Sequence, residues 1–193
     1  MYTVESSGLQ ITTAGTSTDY PLHLSKNVAI TPPFPDALHQ TILGMGCFWG
    51  AEKLFWPLPG VYVTAVGYSG GTSTQPDYPQ VCIGNTGHAE VVLVVFDPGI
   101  ISYHELLTVF WENHDPTQGD RQGNDVGSQY RSVLYTLGEQ QQQLAEQSRH
   151  DYAKALEQAT RDHASFPNIT TGISPVEIFH YAEPYHQQYL IRN

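Results

Sequence analysis

Basic residues, cysteines and long apolar runs are all scarce in this chain, and each shortage closes off a class of protein. Eight Lys and Arg stand against 19 Asp and Glu, for a formal net charge of −11. A phosphate backbone needs a basic face and an anionic membrane surface attracts the same kind of patch, so neither nucleic acid nor membrane is expected as a partner. The two cysteines, Cys47 and Cys82, are too few for a disulfide scaffold and lack the clustered spacing of a zinc site. A reducing compartment with free thiols fits them better than a structural disulfide. No stretch approaches the roughly 18 continuous apolar residues of a membrane-spanning helix. Residues 1–8 show no basic segment followed by an apolar run, so no secretory signal is expected and the cytoplasm is the expected location. His88, His114, His180 and His186 form no His-Glu-x-x-His pattern, and there is neither a glycine-lysine phosphate loop nor a Gly-x-Gly-x-x-Gly run after a strand. No bound metal or nucleotide cofactor is expected.

What is present suits one domain, since 193 residues can bury a substantial core. Residues 1–40 are rich in Ser, Thr, Gly and Pro and read as an extended N-terminal arm, and Thr31-Pro32-Pro33-Phe34-Pro35 cannot be a helix interior. Regular patterning then begins, so 41–193 reads as a single catalytic domain. Strands are expected at 41–45, 61–68 and 91–96, with a helix at 50–56 between the first two. Ser102 followed by Glu105 is a capping box for a helix that runs to Asn113. A strand at 130–135, a long helix at 139–160, one strand at 174–180 and a short helix at 184–190 complete the order. Two polar stretches, 69–87 and 114–127, read as long loops. The first six elements match a split β-α-β core of the ferredoxin-like type. The expected fold class is therefore α+β, a two-layer sandwich with helices on an antiparallel or mixed sheet. A doubly wound parallel sheet competes, but the direct passage from 61–68 to 91–96 argues against it.

Chemistry concentrates at Gly44-Met45-Gly46-Cys47-Phe48-Trp49-Gly50. Flanking glycines permit a tight strand-to-helix turn, which would put Cys47 near a helix N-terminus, a setting that favours a thiolate. The competing reading is an inert buried cysteine. Glu90 stands at the head of the most apolar strand: inside a pocket, desolvation would keep it protonated and able to serve as an acid, whereas at the strand edge it would simply be solvated. Tyr78 and Tyr130 can converge as hydroxyl donors or be ordinary half-buried tyrosines. Asp125 can orient a neighbouring group or mark a turn. Residue types and spacing alone stop at an acidic α+β domain with a candidate thiol site.

Longer blocks carry more. Gly46-Cys47-Phe48-Trp49-Gly50-Ala51-Glu52, Thr86-Gly87-His88-Ala89-Glu90, Phe110-Trp111-Glu112-Asn113-His114-Asp115-Pro116-Thr117-Gln118, Gly123-Asn124-Asp125, Gly127-Ser128-Gln129-Tyr130-Arg131-Ser132 and Ala182-Glu183 with Tyr185-His186-Gln187-Gln188-Tyr189 occur in this order. Together they closely resemble the peptide methionine sulfoxide reductase A family. The resemblance implies thiol-dependent reduction of the S-epimer of methionine sulfoxide, free or in oxidised proteins, through a cysteine sulfenic acid. It implies Cys47 as nucleophile, Glu90 as acid, Tyr78 and Tyr130 as hydroxyl donors and Asp125 as an organising carboxylate. Phe48 and Trp49 would form the pocket for the substrate methyl group. It also implies an external thiol reductant: thioredoxin by family default, with glutaredoxin or a small thiol such as dithiothreitol as alternatives. Many members carry recycling cysteines after the Tyr-His-Gln-Gln-Tyr block, and this sequence has none there; Cys82 reads as structural, not resolving. A monomer is expected. The competing functions are a non-enzymatic module that binds methionine-rich peptides and another thiol reductase acting on peroxide or disulfide.

Overall fold

A computed structural model describes residues 2–3, 9–13, 19–159, 168–176 and 178–193. At its centre is β5, Ala89–Phe96, every residue of which is buried. A strand covered on both faces reads as a continuous apolar run, and 91–96 is such a run. β5 lies between β4, Val61–Ser69, and β3, His39–Met45, and β3 pairs in turn with β8, Ser132–Thr136. All three pairings are antiparallel. Helix α1, Phe48–Phe55, connects β3 to β4, and α3, Tyr103–Glu112, lies between β5 and β8. This is the split β-α-β arrangement expected from the element order.

Further strands extend the sheet to eight in the order β1-β2-β10-β4-β5-β3-β8-β9. β1 is Tyr2–Thr3, β2 Gln10–Thr12, β9 Gly172–Pro175 and β10 Ile178–Tyr181. The β2–β10 and β8–β9 pairs are parallel, so the sheet is mixed. The single strand expected at 174–180 is therefore two strands at opposite sides of the sheet, joined by residues 176 and 177 alone. Three peptide steps reach only about 11 Å. Five strand spacings in a flat sheet would separate β9 from β10 by about 24 Å. The sheet is rolled until its sides approach, and the Tyr135 hydroxyl of β8 donates across the roll to the Ser69 carbonyl of β4 at 3.3 Å.

One apolar cluster holds Ile42, Val63, Leu93, Tyr135 and Phe179 together with Leu9, Ile11, Tyr20 and Ile30 from the arm. Residues of the arm thus complete a core. The other face carries the helices, which pack Phe48, Phe55, Leu106 and Phe110 onto Leu43, Val66, Val92 and Leu134. Ser102 and Glu105 form the expected capping box at the start of α3. Helix α4, Glu139–Ala159, buries Ala145 and Ser148, whereas Leu144 and Ala159 are exposed. The stripe is set by Trp111 of α3, whose N–H donates to Ser148 Oγ at 3.0 Å and whose ring stacks on Tyr152. Thr160 and Glu177, included in the elements expected from sequence, lie outside the described residues.

Both expected loops contain structure. α2, Tyr78–Ile83, lies in the first, with Asp77 accepting from the Gln80 N–H and Gly84 as a left-handed C-cap at φ 81°. The second holds a hairpin of β6, Arg121–Gln122, and β7, Asp125–Val126. The C-terminal segment is a 3-10 turn, Pro184–His186, followed by α5, Tyr189–Arg192. No helix among the described residues is long and apolar enough to cross a membrane.

Candidate active site

The end of β3 delivers the chain to the site through Gly46, at φ +91°, where an added Cβ would meet Gln122 Cβ at 2.6 Å. Positive φ and close approach of the β6 hairpin both call for glycine. Helix α1 starts two residues earlier than expected, which makes Cys47 its N-cap, half-buried and without a capping hydrogen bond. The next residue, Phe48, donates its backbone N–H to Glu90 Oε2 at 3.0 Å. That bond ties the start of the helix to the head of β5 and sets the Glu90 carboxyl beside the cysteine.

Glu90 is 1% exposed, so it belongs to the interior and not to a solvated strand edge. Burial is the largest influence on its pKa and pushes it up to about 8, opposed by the Phe48 N–H and assisted by the Asp125 charge. Near neutral pH it holds a proton. Cys47 departs from the sequence expectation of a favoured thiolate. Burial first, and then the Glu90 charge, push its thiol up to about 11, while the N–H groups of Trp49 and Gly50 pull the other way. The helix start does favour the anion, but desolvation and a neighbouring carboxyl outweigh it.

The remaining predicted residues gather around this pair. Tyr130 ends the 3-10 turn Ser128–Tyr130 and is pushed up to about 12 by burial and then by the charges of Glu90, Cys82, Asp125 and Cys47. Tyr78 opens α2, its backbone N–H donating to Glu183 Oε1 at 2.9 Å. Burial and then a hydrogen bond with Cys82 raise the pKa of its hydroxyl. Asp125 lies exposed on β7, within electrostatic reach of both Glu90 and Cys47. Phe48 is buried, with its ring centroid 6.5 Å from that of half-buried Trp49. Cys82 is exposed on α2, where its side chain shares a hydrogen bond with the Tyr78 hydroxyl and its carbonyl accepts from the Gln129 side chain.

Sequence reasoning missed a layer behind these residues. Glu183 accepts from the Tyr68 hydroxyl at 3.0 Å as well as from Tyr78 N–H, and so fixes the α2 start against β4. His186, considered only as a metal ligand, is buried against Phe48, Tyr78 and Tyr185. Glu52 is buried on α1 and bound by Thr64 and Gln188. Only their presence inside the matched blocks could have singled them out. Among the described residues, no three His, Cys, Asp or Glu side chains converge as metal ligands.

An α+β domain in which a half-buried thiol adjoins a protonated buried carboxyl falls within the class of thiol enzymes. A family model described as peptide methionine sulfoxide reductase matches residues 39–193. The peptide methionine sulfoxide reductase MsrA of Rhodospirillum centenum is 55% identical over 169 residues, covering 88% of this chain and 75% of that protein. Its namesake in Brucella ovis is 54% identical over 171 residues, covering 89% and 76%. Among solved structures, methionine sulfoxide reductase A of Corynebacterium diphtheriae superposes with a TM-score of 0.83 at 40% identity, covering 98% of this chain and 90% of that one. Reduced Mxr1 from Saccharomyces cerevisiae gives 0.67 at 33%, covering 84% and 89%. The chain belongs to the peptide methionine sulfoxide reductase family. It is an enzyme of methionine sulfoxide reduction, which sets aside the non-enzymatic module and the peroxide or disulfide reductase.

Proposed function

We propose that Cys47 attacks the sulfur of the S-epimer of methionine sulfoxide, free or in a polypeptide, while Glu90 delivers a proton to the sulfoxide oxygen. The observation that carries this reading is the Glu90 carboxyl itself, buried, protonated near neutral pH and bonded to the residue that follows Cys47. Sulfoxide oxygen is a poor leaving group until protonated, and a buried acid with a pKa near the working pH is suited to that transfer. As the Cys47 Sγ–S bond forms, Glu90 protonates the oxygen and then regains the proton lost by the thiol. The hydroxyl then passes from the substrate sulfur to Cys47 Sγ: the S–O and Sγ–S bonds break as an Sγ–O bond forms, which releases methionine and leaves Cys47 as a sulfenic acid. Thiol plus sulfoxide thus becomes sulfenic acid plus thioether, with no net proton change.

Tyr78 and Tyr130 supply hydroxyls to the sulfoxide oxygen; their raised pKa values keep them as donors. Phe48 and Trp49 wall the substrate methyl group, and Asp125 keeps the Glu90 proton in place through its charge. One external thiol then displaces water from the sulfenic acid, and a second releases Cys47 as its thiol and the donors as a disulfide. A thioredoxin-like protein suits this role, with glutaredoxin or a small thiol as alternatives. The enzyme acts without a bound cofactor, as a monomer in the cytoplasm, from an N-terminal arm at 1–40 and one catalytic domain at 41–193.

Epimer-resolved turnover with dithiothreitol, thioredoxin and glutathione–glutaredoxin side by side tests the reading. Consumption of the S-epimer alone, lost in Glu90→Gln, is the expected result; equal consumption of both epimers would contradict it.

A further inference from the structure

Trp49 is held on two sides. Its indole stacks on Tyr189 with centroids 3.9 Å apart and planes 12° from parallel. Its N–H donates to His186 Nδ1 at 3.1 Å. Stacking fixes the plane of a ring but leaves it free to turn within that plane, and a directional bond at the edge removes this freedom. An acceptor at Nδ1 of a neutral imidazole puts the ring proton on Nε2. That nitrogen lies 3.9 Å from Glu183 Oε2, beyond hydrogen-bond reach, and has no hydrogen-bond partner among the described residues. Burial keeps the imidazole neutral against the pull of Glu183. The His186 ring is therefore oriented by its bond to the indole and by packing on Phe48 at 5.1 Å and Tyr78 at 4.5 Å.

We propose that His186 is a positioning residue for substrate selectivity, locking the Trp49 indole so that the space beside Phe48 admits a methyl group on sulfur and rejects a longer alkyl chain. The proposal rests on the reading of Trp49 as the methyl wall. A pocket discriminates one methylene only as far as its walls hold still. An indole released at its edge can swing aside and admit the larger group.

First-turnover kcat/KM for methionine sulfoxide and for ethionine sulfoxide, which carries an ethyl group on sulfur, reads the effect as a ratio. His186→Phe keeps a ring but removes the acceptor, and should lower the methyl-over-ethyl ratio about fivefold, in line with one neutral hydrogen bond. His186→Asn retains an acceptor near Nδ1 and should stay close to the parent ratio. Benzothienylalanine at position 49, with sulfur in place of the indole N–H, should match His186→Phe, and it decides the matter alone if that variant does not fold. In a Trp49→Phe background, His186→Phe should add nothing. A ratio lowered by Trp49→Phe but untouched by both His186→Phe and the benzothienyl residue would overturn the role of His186 and leave the wall intact. A ratio untouched by Trp49→Phe would remove the wall, and the proposal with it.

Discussion

Two buried glutamates, Glu52 within helix α1 and Glu90 bonded to its first residue, are treated differently by the molecule. Glu52, at 0% exposure, has both oxygens occupied: the Thr64 hydroxyl donates to Oε1 at 3.0 Å and the Gln188 N–H to Oε2 at 2.9 Å. His23 of the arm adds a contact at 3.1 Å to the same Thr64 hydroxyl. Glu90 accepts a hydrogen bond from the Phe48 N–H and adjoins the Cys47 thiol. Burial pushes Glu52 up to about 7 and Glu90 up to about 8. A raised pKa therefore does not separate the two; hydrogen-bond capacity does. Glu52 joins the arm, the sheet, α1 and the C-terminal segment, whereas Glu90 retains an oxygen and a proton beside the Cys47 thiol.

The sharpest break in this comparison is at the thiol that only Glu90 adjoins. Cys47→Ser should abolish sulfoxide reduction while leaving the thermal transition unchanged, and retained turnover would move the nucleophile elsewhere. Next in size is Glu90→Gln, which should slow first-turnover methionine release by about 10²–10⁴-fold, the usual reach of acid catalysis. Glu52→Gln, assayed well below its melting temperature, should stay within about threefold of the parent enzyme. Similar losses from both substitutions would erase the distinction.

Stability should show the opposite order. Glu52→Gln turns an amide N–H toward one of two buried donors and should cost about 1–3 kcal/mol in denaturant unfolding, while Glu90→Gln preserves the bond from Phe48. Both native carboxyls titrate above their unfolded values, so their contribution is complete below about pH 4.5 and is lost as pH rises through about 7 and 8. Glu90→Gln should therefore flatten the decline in stability toward pH 8, and an unchanged profile would contradict its buried protonated state. The smallest effect belongs to Cys82, exposed on α2. Cys82→Ser should leave single-turnover methionine release within about twofold of the parent, and a large loss would bring that thiol into the chemistry.

How much could be read in advance follows from how far each feature depends on distant residues. The continuous run at 91–96 announces a strand covered on both faces, and the Ser102–Glu105 box announces a helix start, because both are local. The Cys47 turn is local too, and its position was legible. Its acidity was not, since burial and Glu90, 43 residues along the chain, outweigh the helix terminus. The α2 helix hides in a loop composition, although Asp77, Pro79 and Gly84 are ordinary start and stop signals. The rolling of the sheet depends on which strands β9 and β10 choose, and nothing within their four-residue lengths specifies that. His186 and its partner Trp49 stand 137 positions apart, so their pairing exists only in the fold.

In the proposed reaction a protonated Glu90, and not a preformed Cys47 thiolate, limits the first step. Single-turnover methionine release from the S-epimer, measured between pH 6 and 9.5, tests this most directly. The expected rate falls as pH passes about 8, with no such fall in Glu90→Gln. A rate that climbs steadily toward pH 9.5, following thiol ionisation, would contradict it.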